Sequence, residues 1–189
     1  MEAVPPQLYG GTERIVSYLT DELVALGHDV TLFASGDSKT AARLQPVWPK
    51  AMRLDDTIGD YLAPHVMMLE QVARRSHEFD VMHFHIDYLG YPLQSRLNTP
   101  SLTTLHGRLD LSVLQPVYEL FDEIPVVSIS DAQRVPLPQA DYVSTVYHGI
   151  PERSLLPRFG AGKYLAFLGR ISPEKAPDAA IRIDRKSVV

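Results

Sequence analysis

The chain has 189 residues, of which 45% are hydrophobic and 22% are charged, so it has the composition of a globular protein that can bury a sizeable core. Its formal net charge is −5 and it has no cluster of lysine or arginine, which argues against nucleic acid or an anionic membrane as the main partner. It has no cysteine, which excludes a disulfide framework, a thiolate metal site and a cysteine nucleophile. We see neither a signal peptide nor an apolar stretch long enough to span a bilayer, so we expect a cytoplasmic protein, of undetermined oligomeric state.

A glycine-rich loop, residues 5–11, leads directly into a predicted helix. It contains Gly10 and Gly11, which let the backbone approach a ligand closely. Over residues 12–26 the apolar side chains recur at helical spacing, and Gly27 is placed to end the helix. A glycine loop before a helix N-terminus can cradle an anion such as phosphate, although the same pattern also occurs as a plain turn.

Extended and helical patterns then alternate along the chain. Residues 29–34 form an apolar run typical of a buried strand. Residues 41–56 are irregular and contain Pro46, so we expect a loop with short turns. Residues 60–77 have a helical period. The residues expected on the inward face of that helix are Leu62, Val66, Leu69 and Val72.

Histidines occupy two of the following predicted strands. In the strand 80–85, His83 and His85 share one face, so they are either two metal ligands or structural histidines. No third ligand is obviously placed with them, which favours the structural role. A strand over 100–107 delivers His106 and a glycine at its carboxyl end. Open α/β sheets bind ligands beyond the carboxyl ends of their strands, so a ligand-binding role for His106 is favoured over a buried structural one.

The remaining elements complete a first domain and begin a second. We expect strands over 125–130 and 142–151 and a helix over 110–121. The inward residues of that helix are expected to be Leu111, Leu114 and Leu120.

The predicted domain organisation follows from this order. Residues 1–151 form the first domain, and 152–162, which contain a proline and two glycines, form a linker. Residues 163–183 begin a second domain, whose first helix we expect over 176–183. Residues 184–189 break the amphipathic pattern and match what a sequencing-library adapter joined in frame would encode, so we predict that they are not native.

An anion site is predicted near the end of the chain. An apolar run of strand character, residues 164–168, stops at Gly169 and is followed by Arg170 and by Lys175, where a helix would begin. A planar guanidinium and an ammonium group together suit a diphosphate better than a single carboxylate. The alternative is two surface cations beside a turn.

The pattern Gly169-Arg170, then Glu174-Lys175, after a hydrophobic strand resembles the donor-diphosphate motif of family 4 retaining glycosyltransferases of the GT-B fold. Gly-Gly-Thr-Glu-Arg at the start of the first helix, Asp-Val-Met-His-Phe-His and the strand end Thr-Leu-His-Gly resemble the same family, in the same order. The resemblance covers residues 5–183. His-Gly-Ile stands where the family usually has Asn-Gly-Ile.

The resemblance implies a fold, a reaction and a set of site residues. The fold is α/β, with a Rossmann-like parallel sheet flanked by helices. The reaction transfers a sugar from a nucleotide-diphosphate sugar to an acceptor hydroxyl, with retention of configuration, in a cleft between two such domains. Catalytic roles are implied for His106 beside the donor sugar, and for Arg170 and Lys175, which stabilise the departing diphosphate. The implied phosphate-binding residues are Gly10, Gly11, Gly169, Arg170 and Lys175. No metal or cofactor is expected, since the two cations take its place.

Two parts of the family pattern are missing from the sequence. Family members have a strand before the glycine loop and two glutamates on a helix of the second domain. We therefore expect a chain that lacks its first strand and most of its second domain, and that is inactive by itself. The alternatives are a non-catalytic Rossmann-like binding module and an enzyme of another class on this architecture, such as a nucleotide-sugar epimerase or a glycogen-phosphorylase-like enzyme. Arg170 and Lys175 argue against the binding module, which needs no leaving-group site.

Overall fold

In the computed structural model, the chain divides into two compact units, Met1–Pro151 and Glu152–Val189. The structure describes residues 1–152, 154–156, 159–160, 162 and 164–187, with the backbone alone for 185–187. Part of the predicted linker and the last two residues of the predicted tail lie outside the described residues. The predicted domain boundaries stay predictions, and each unit is described by itself.

The first unit contains six strands, and every strand pair is parallel. The strands form a two-stranded sheet of order β1-β2 and a four-stranded sheet of order β3-β4-β5-β6. Their bounds are β1 (Thr31–Ser35), β2 (Arg43–Trp48), β3 (Met82–Phe84), β4 (Ser101–Thr104), β5 (Val126–Ser128) and β6 (Tyr142–Thr145). Helices or helical turns lie between β3 and β4, β4 and β5, and β5 and β6, whereas residues 36–42, which join the parallel strands β1 and β2, contain no helix. The predicted fold class, an α/β fold with parallel sheets flanked by helices, is confirmed.

The helices of the first unit are α1 (Gly11–Ala25), α2 (Leu62–Arg75), α3 (Tyr91–Gln94), α4 (Gln115–Leu120) and α5 (Asp131–Arg134). The second unit contains α6 (Pro177–Ser187). Within the described residues, none of these helices has the length and apolar character needed to cross a membrane.

The predicted first helix and its stop signal are confirmed by α1. Gly27 has a φ of 93°, in the left-handed region that favours glycine. The N–H of Gly27 donates to the carbonyl of Val24, and the N–H of His28 donates to the carbonyl of Leu23. These bonds satisfy the last carbonyls of the helix in the pattern that glycine makes possible.

The prediction of a loop over residues 41–56 is wrong, because β2 lies within it. Pro46 had weighed against a strand, since proline cannot donate a hydrogen bond. Arg43 donates its N–H to Val30, toward β1. Alternate residues of a strand direct their N–H groups to opposite edges, so the nitrogen of Pro46 lies at the edge away from β1.

The expected inward faces of two helices are partly wrong. In α2 the buried residues are Pro64, Met68 and Val72, while Val66 and Leu62 are exposed. The buried set recurs every four residues and the expected set every three or four, and both are helical spacings, so periodicity did not distinguish them.

In the segment expected to be one helix over 110–121, a 3₁₀ turn (Ser112–Leu114) precedes the shorter α4. Leu114 is buried as expected, at 6% exposure. Leu111 and Leu120 are 44% and 74% exposed, so their predicted burial is wrong. The 3₁₀ turn changes the angular spacing of the side chains, which explains the error.

Two hydrophobic clusters hold the first unit together. One lies around α2, β2 and β3, with Val47, Met68, Val72, Met82 and Phe84. The other lies around the end of β4, β5 and α4, and its fully buried members include Tyr91, Leu105 and Leu137. The second cluster therefore supports the strand end that carries His106.

The sheet pairing is interrupted between β1 and β3. Among the described residues these strands belong to separate sheets, although Phe33 of β1 packs against the cluster that contains Met82 and Phe84. The expectation that a first strand is missing stays a prediction.

Two predictions in the second unit are wrong. Residues 164–168 form no strand, since the described part of this unit supplies no neighbouring strand to pair with their backbone groups. The helix α6 continues to Ser187, beyond the expected break at residue 184. That residues 184–189 are not native stays a prediction.

We predict that Leu114→Ala destabilises the protein and that Leu120→Ala does not. Removing the buried Leu114 side chain leaves a cavity, which should lower the free energy of unfolding by about 2–5 kcal/mol. The exposed Leu120 should change it by less than about 0.5 kcal/mol. Urea denaturation of both variants measures the difference, and equal losses would contradict the burial described here.

Candidate functional site

The carboxyl ends of the four-stranded sheet bring three chain segments together. Because the strands are parallel, residues that follow β3, β4 and β6 leave the sheet at one edge. Their histidines, His85, His106 and His148, meet there. This is the edge at which open α/β sheets bind their ligands.

The histidines form a row of contacting rings, which we call the histidine row: His83, His85, His106 and His148. The successive ring centroids are 4.1, 5.2 and 5.2 Å apart. His85 Nδ1 lies 3.0 Å from His106 Nε2, within hydrogen-bond distance, and His83 Nε2 lies 2.7 Å from the Thr104 hydroxyl. The shared face predicted for His83 and His85 is confirmed. Within the described residues, no three histidine, aspartate or glutamate side chains are grouped so as to hold a metal ion.

Asp87 holds the backbone of His106 from one side. Its Oδ1 accepts the N–H of His106 at 3.2 Å. Burial raises the pKa of this carboxyl, and the N–H groups of His106 and Gly107 partly counteract that rise. A Cβ on Gly107 would lie 3.2 Å from Asp87 Oδ2, so a larger residue there would crowd the carboxylate. Asp87 has a φ of 48°, a left-handed conformation that is uncommon outside glycine. Such backbone strain is typical of sites where the surrounding structure fixes a functional geometry.

Gln133 holds the same turn from the opposite side. Its Nε2 donates to the carbonyls of Leu105 and Gly107, both at 3.0 Å, while its Oε1 accepts the N–H of Ile129. Gln133 lies in α5, whose N-terminus is capped by the Ser130 hydroxyl. Asp87 and Gln133 together bind both kinds of backbone group around His106, so its position is fixed before any ligand binds.

The histidine row is electrically neutral at pH 7. Burial, followed by the neighbouring His148 and His83, lowers the pKa of His106 to about 4. Burial and the surrounding histidines also hold the pKa of His85 far below its usual range. Burial has the opposite effect on the carboxyl of Asp87, whose pKa it raises. A neutral His106 can donate one hydrogen bond and accept one, but it supplies no positive charge.

The glycine loop lies at the start of α1, with Gly10 as its N-cap and Gly11 as its first residue. A Cβ on Gly10 would lie 2.5 Å from a carboxylate oxygen of Glu13, whereas nothing lies within 4 Å of one on Gly11. Glu13 is therefore close to the helix N-terminus, where an anion was predicted. Arg53 pairs with Glu13 at 3.5 Å and donates to the carbonyl of Tyr9 at 3.1 Å. The loop is thus held by an arginine from the segment predicted as irregular.

The predicted diphosphate motif lies in the second unit, with Lys175 at the end of a 3₁₀ turn (Pro173–Lys175) that precedes α6, and with Gly169 and Arg170 before that turn. Arg170 Nη2 lies 3.2 Å from Glu174 Oε1, and the Arg170 side chain is 56% exposed. A Cβ on Gly169 would lie 3.8 Å from the Cβ of Lys175, so these three motif positions are close together. The described residues thus bring Gly169, Arg170 and Lys175 together in one unit, and Gly10, Gly11 and His106 into the other.

A groove of about 630 Å³ lies at the opposite, amino end of the sheet. Its walls come from the segments that precede β4 and β5, among them Asn98, Ser101, Leu120 and Glu123. It contains none of the predicted site residues.

Comparison with known proteins identifies the family. A family model described as Glycosyltransferase Family 4 matches residues 9–159, which is more than half of the chain. The chain belongs to glycosyltransferase family 4. No match was found among curated proteins. The matched range of this glycosyltransferase domain includes Gly10, Gly11 and His106, whereas Gly169, Arg170 and Lys175 lie beyond it.

Sequence reasoning missed the residues that hold the turn of His106 and the glycine loop. Asp87 was visible only as a polar residue after a strand, and Gln133 only as part of a short helix. Arg53 lay in a segment dismissed as loop. Each acts on a residue at least 19 positions away in the chain, as His106 and Asp87 illustrate, and no local pattern reports such a contact.

We predict that Asp87→Ala loosens the turn that carries His106. It leaves the N–H of His106 without its acceptor in a half-buried position, which should lower the free energy of unfolding by about 1–3 kcal/mol. Urea denaturation measures this, together with faster amide exchange at His106. The matched control is Asp110→Ala, which removes an exposed carboxylate paired with Arg108 and should leave stability nearly unchanged. Protection at His106 that survives Asp87→Ala would contradict the proposed support.

We also predict that the glycosyltransferase domain loses stability as the pH falls below 6.5. The pKa of His106 is lower in the folded chain, about 4, than the 6.5 of an ordinary histidine. The unfolded chain therefore binds the proton first, so stability is present above pH 6.5 and is lost as the pH falls toward 4. The loss between pH 7 and pH 5 should be on the order of 1–3 kcal/mol. Asp87 has a raised pKa in the folded chain, so its protonation stabilises the fold as the pH falls, but only at pH values near that pKa. Unfolding at several pH values checks the sign. His106→Gln should reduce the loss without removing it, because the pKa of His85 is also held far below its usual range.

Proposed function

We propose that this chain provides the acceptor-side domain, and the opening of the donor-side domain, of a retaining GT-B glycosyltransferase that uses a nucleotide-diphosphate sugar. The observation that carries the proposal is His106, held at the carboxyl end of β4 by Asp87 and Gln133 within the range matched by the family. A ring fixed at this edge, with one nitrogen engaged by His85, has the placement of a group that orients a ligand.

In the proposed reaction, the bond between the anomeric carbon and the diphosphate oxygen breaks. The acceptor oxygen takes its place with the same configuration, and the acceptor proton leaves with the products. Negative charge builds up on the departing diphosphate, and stabilising that charge is a large catalytic contribution. We assign this to Arg170 and Lys175, because a guanidinium and an ammonium group bind phosphate oxygens by charge-assisted hydrogen bonds.

His106 has a different role in this proposal. With a pKa lowered to about 4 it is neutral, so it orients the donor by a hydrogen bond rather than by charge. No metal is needed in this scheme, because the two cations occupy its role. The glycine loop contributes backbone N–H groups near Gly10 and Gly11, on the condition that Glu13 turns away from them.

The pairing of Arg170 with Glu174 is compatible with ligand binding. The pair is largely exposed, at 56% and 35% for the two side chains, and exposed ion pairs contribute little net stability. A diphosphate carries more charge than one carboxylate, so it competes with Glu174 for the guanidinium.

We predict that the chain binds nucleoside diphosphates through this motif without turning over nucleotide sugars. Calorimetric titration with UDP, GDP, ADP and inorganic diphosphate should show saturable binding to the native chain. Arg170→Ala combined with Lys175→Ala should weaken it about 10-fold or more, given the strength of charge-assisted bonds.

The matched control is Arg182→Ala in α6, where Arg182 forms an exposed pair with Asp178 at 2.6 Å. That pair has the same i,i+4 spacing as Arg170 and Glu174, so it controls for the loss of a positive charge in the same unit. Equal weakening by Arg182→Ala would mean nonspecific attraction and would contradict the assignment. Turnover of a nucleotide sugar by the purified chain would contradict the expected inactivity.

A further inference from the structure

We propose that His85 is a positioning residue for His106: by bonding the Nε2 of His106 it fixes the tautomer of that ring and leaves Nδ1 as the nitrogen that meets a ligand. The consequence for the donor rests on the proposed function, whereas the control of the tautomer does not.

The sheet register makes this contact possible. β3 and β4 are parallel neighbours, with Phe84 opposite Thr103. His85 comes directly after Phe84, and His106 follows two residues after the end of β4, so both leave the sheet side by side. The hydrogen bonds of Asp87 and Gln133 then fix the backbone around His106. The result is a distance of 3.0 Å between His85 Nδ1 and His106 Nε2.

The chemistry of neutral imidazole turns this contact into control of the tautomer. A neutral ring has one nitrogen that donates and one that accepts. The bond can form in either sense, but when Nδ1 of His85 accepts, both rings carry their proton on Nε2, which is the tautomer that free histidine favours. Nε2 of His106 then donates to His85, and its Nδ1 is left as an acceptor. A charged ring has a proton on both nitrogens, so it has no tautomers for the contact with His85 to select. The titratable groups around His106 are His83 and His85 from β3 and its end, Asp87, and His148 after β6, and His106 is neutral among them at pH 7.

The other members of the histidine row do not share this role. His148 stacks on His106 with an interplanar angle of 20°, and these two described rings form no hydrogen bond with each other. His83 contacts the ring of His85 and the hydroxyl of Thr104. Within the described residues, His85 is the side chain that the structure places in hydrogen-bond contact with a ring nitrogen of His106.

The tautomer decides what kind of ligand atom His106 can bind. If Nδ1 carries the proton it donates to a phosphate or sugar oxygen, and if it does not it accepts from a sugar hydroxyl. A mixture of the two forms would leave part of the protein with the wrong group facing the ligand. His85 thus contributes to specificity without touching the ligand itself.

The test is a long-range ¹H–¹⁵N correlation spectrum of the ring nitrogens of the chain with ¹⁵N-labelled histidine at neutral pH. In the native chain we expect His106 in one dominant tautomer with a hydrogen-bonded Nε2. In His85→Leu the ratio of the two tautomers should change about 2- to 10-fold, which is the equilibrium effect of one net hydrogen bond. His85→Asn places an amide atom where Nδ1 stood and should restore the native spectrum in large part.

The matched control is His148→Leu, which removes an exposed ring that also contacts His106 but forms no hydrogen bond with it. It should leave the His106 tautomer unchanged. An equally large change in His148→Leu, or no change in His85→Leu, would overturn the proposal. The native spectrum remains decisive if His85→Leu fails to fold, because two comparably populated His106 tautomers in the native chain would also overturn it.

Addition of UDP then separates this inference from the proposed function. A shift of His106 Nδ1 on binding supports both. If the tautomer depends on His85 but UDP leaves Nδ1 unchanged, the positioning role stands and the donor-site assignment fails.

Discussion

The site depends on β4 being held between two parallel neighbours. Met82 of β3 donates to the carbonyl of Pro100, and Thr103 and Leu105 donate to carbonyls of the β5 segment. Leu105, the residue before His106, is fully buried, so the direction of the backbone is fixed as far as Leu105. Alternation along a strand then turns the next side chain toward the opposite side, where the histidine row lies. The hydrogen bonds of Asp87 and Gln133 hold the backbone in place beyond the end of the strand.

The two units carry different electrostatics. The row around His106 is a neutral set of rings, of which His85 and His106 are half-buried, and it is suited to orienting uncharged or polar groups. Arg170 and Lys175 in the other unit are exposed, so a diphosphate can reach them. A retaining glycosyltransferase needs both properties, one for the sugar and one for the leaving group. The proposed assignment gives each to the unit whose environment suits it.

The sequence was sufficient for the parts of the fold that short-range patterns determine. The spacing of apolar residues and a terminal glycine predicted α1 and its end at Gly27. Apolar runs that end in polar residues predicted β3, β4 and β5, and hence the exit of His106 at the ligand edge. These features depend on neighbouring residues, and the alternation of strands and helices then indicates parallel pairing.

The errors arise where the structure depends on contacts between residues that are distant in the chain. β2 was missed because the tolerance of Pro46 depends on which edge of the strand its nitrogen occupies, a tertiary property. The inward face of α2 was ambiguous because two sets of apolar residues both recur at helical spacing. Residues 164–168 have strand composition but no partner strand among the described residues, so composition alone misled. Asp87, Gln133 and Arg53 act across long sequence distances, which a single sequence does not reveal.

The most direct test of the account is to locate where a nucleotide-diphosphate sugar binds on the first unit. Backbone amide shifts of the ¹⁵N-labelled chain, followed during titration with UDP-glucose and GDP-mannose, give this location. The account predicts shifts at the carboxyl end of the sheet, centred on His106 and Gly107, for at least one donor. Shifts confined to the groove at the amino end, around Asn98 and Glu123, would contradict it.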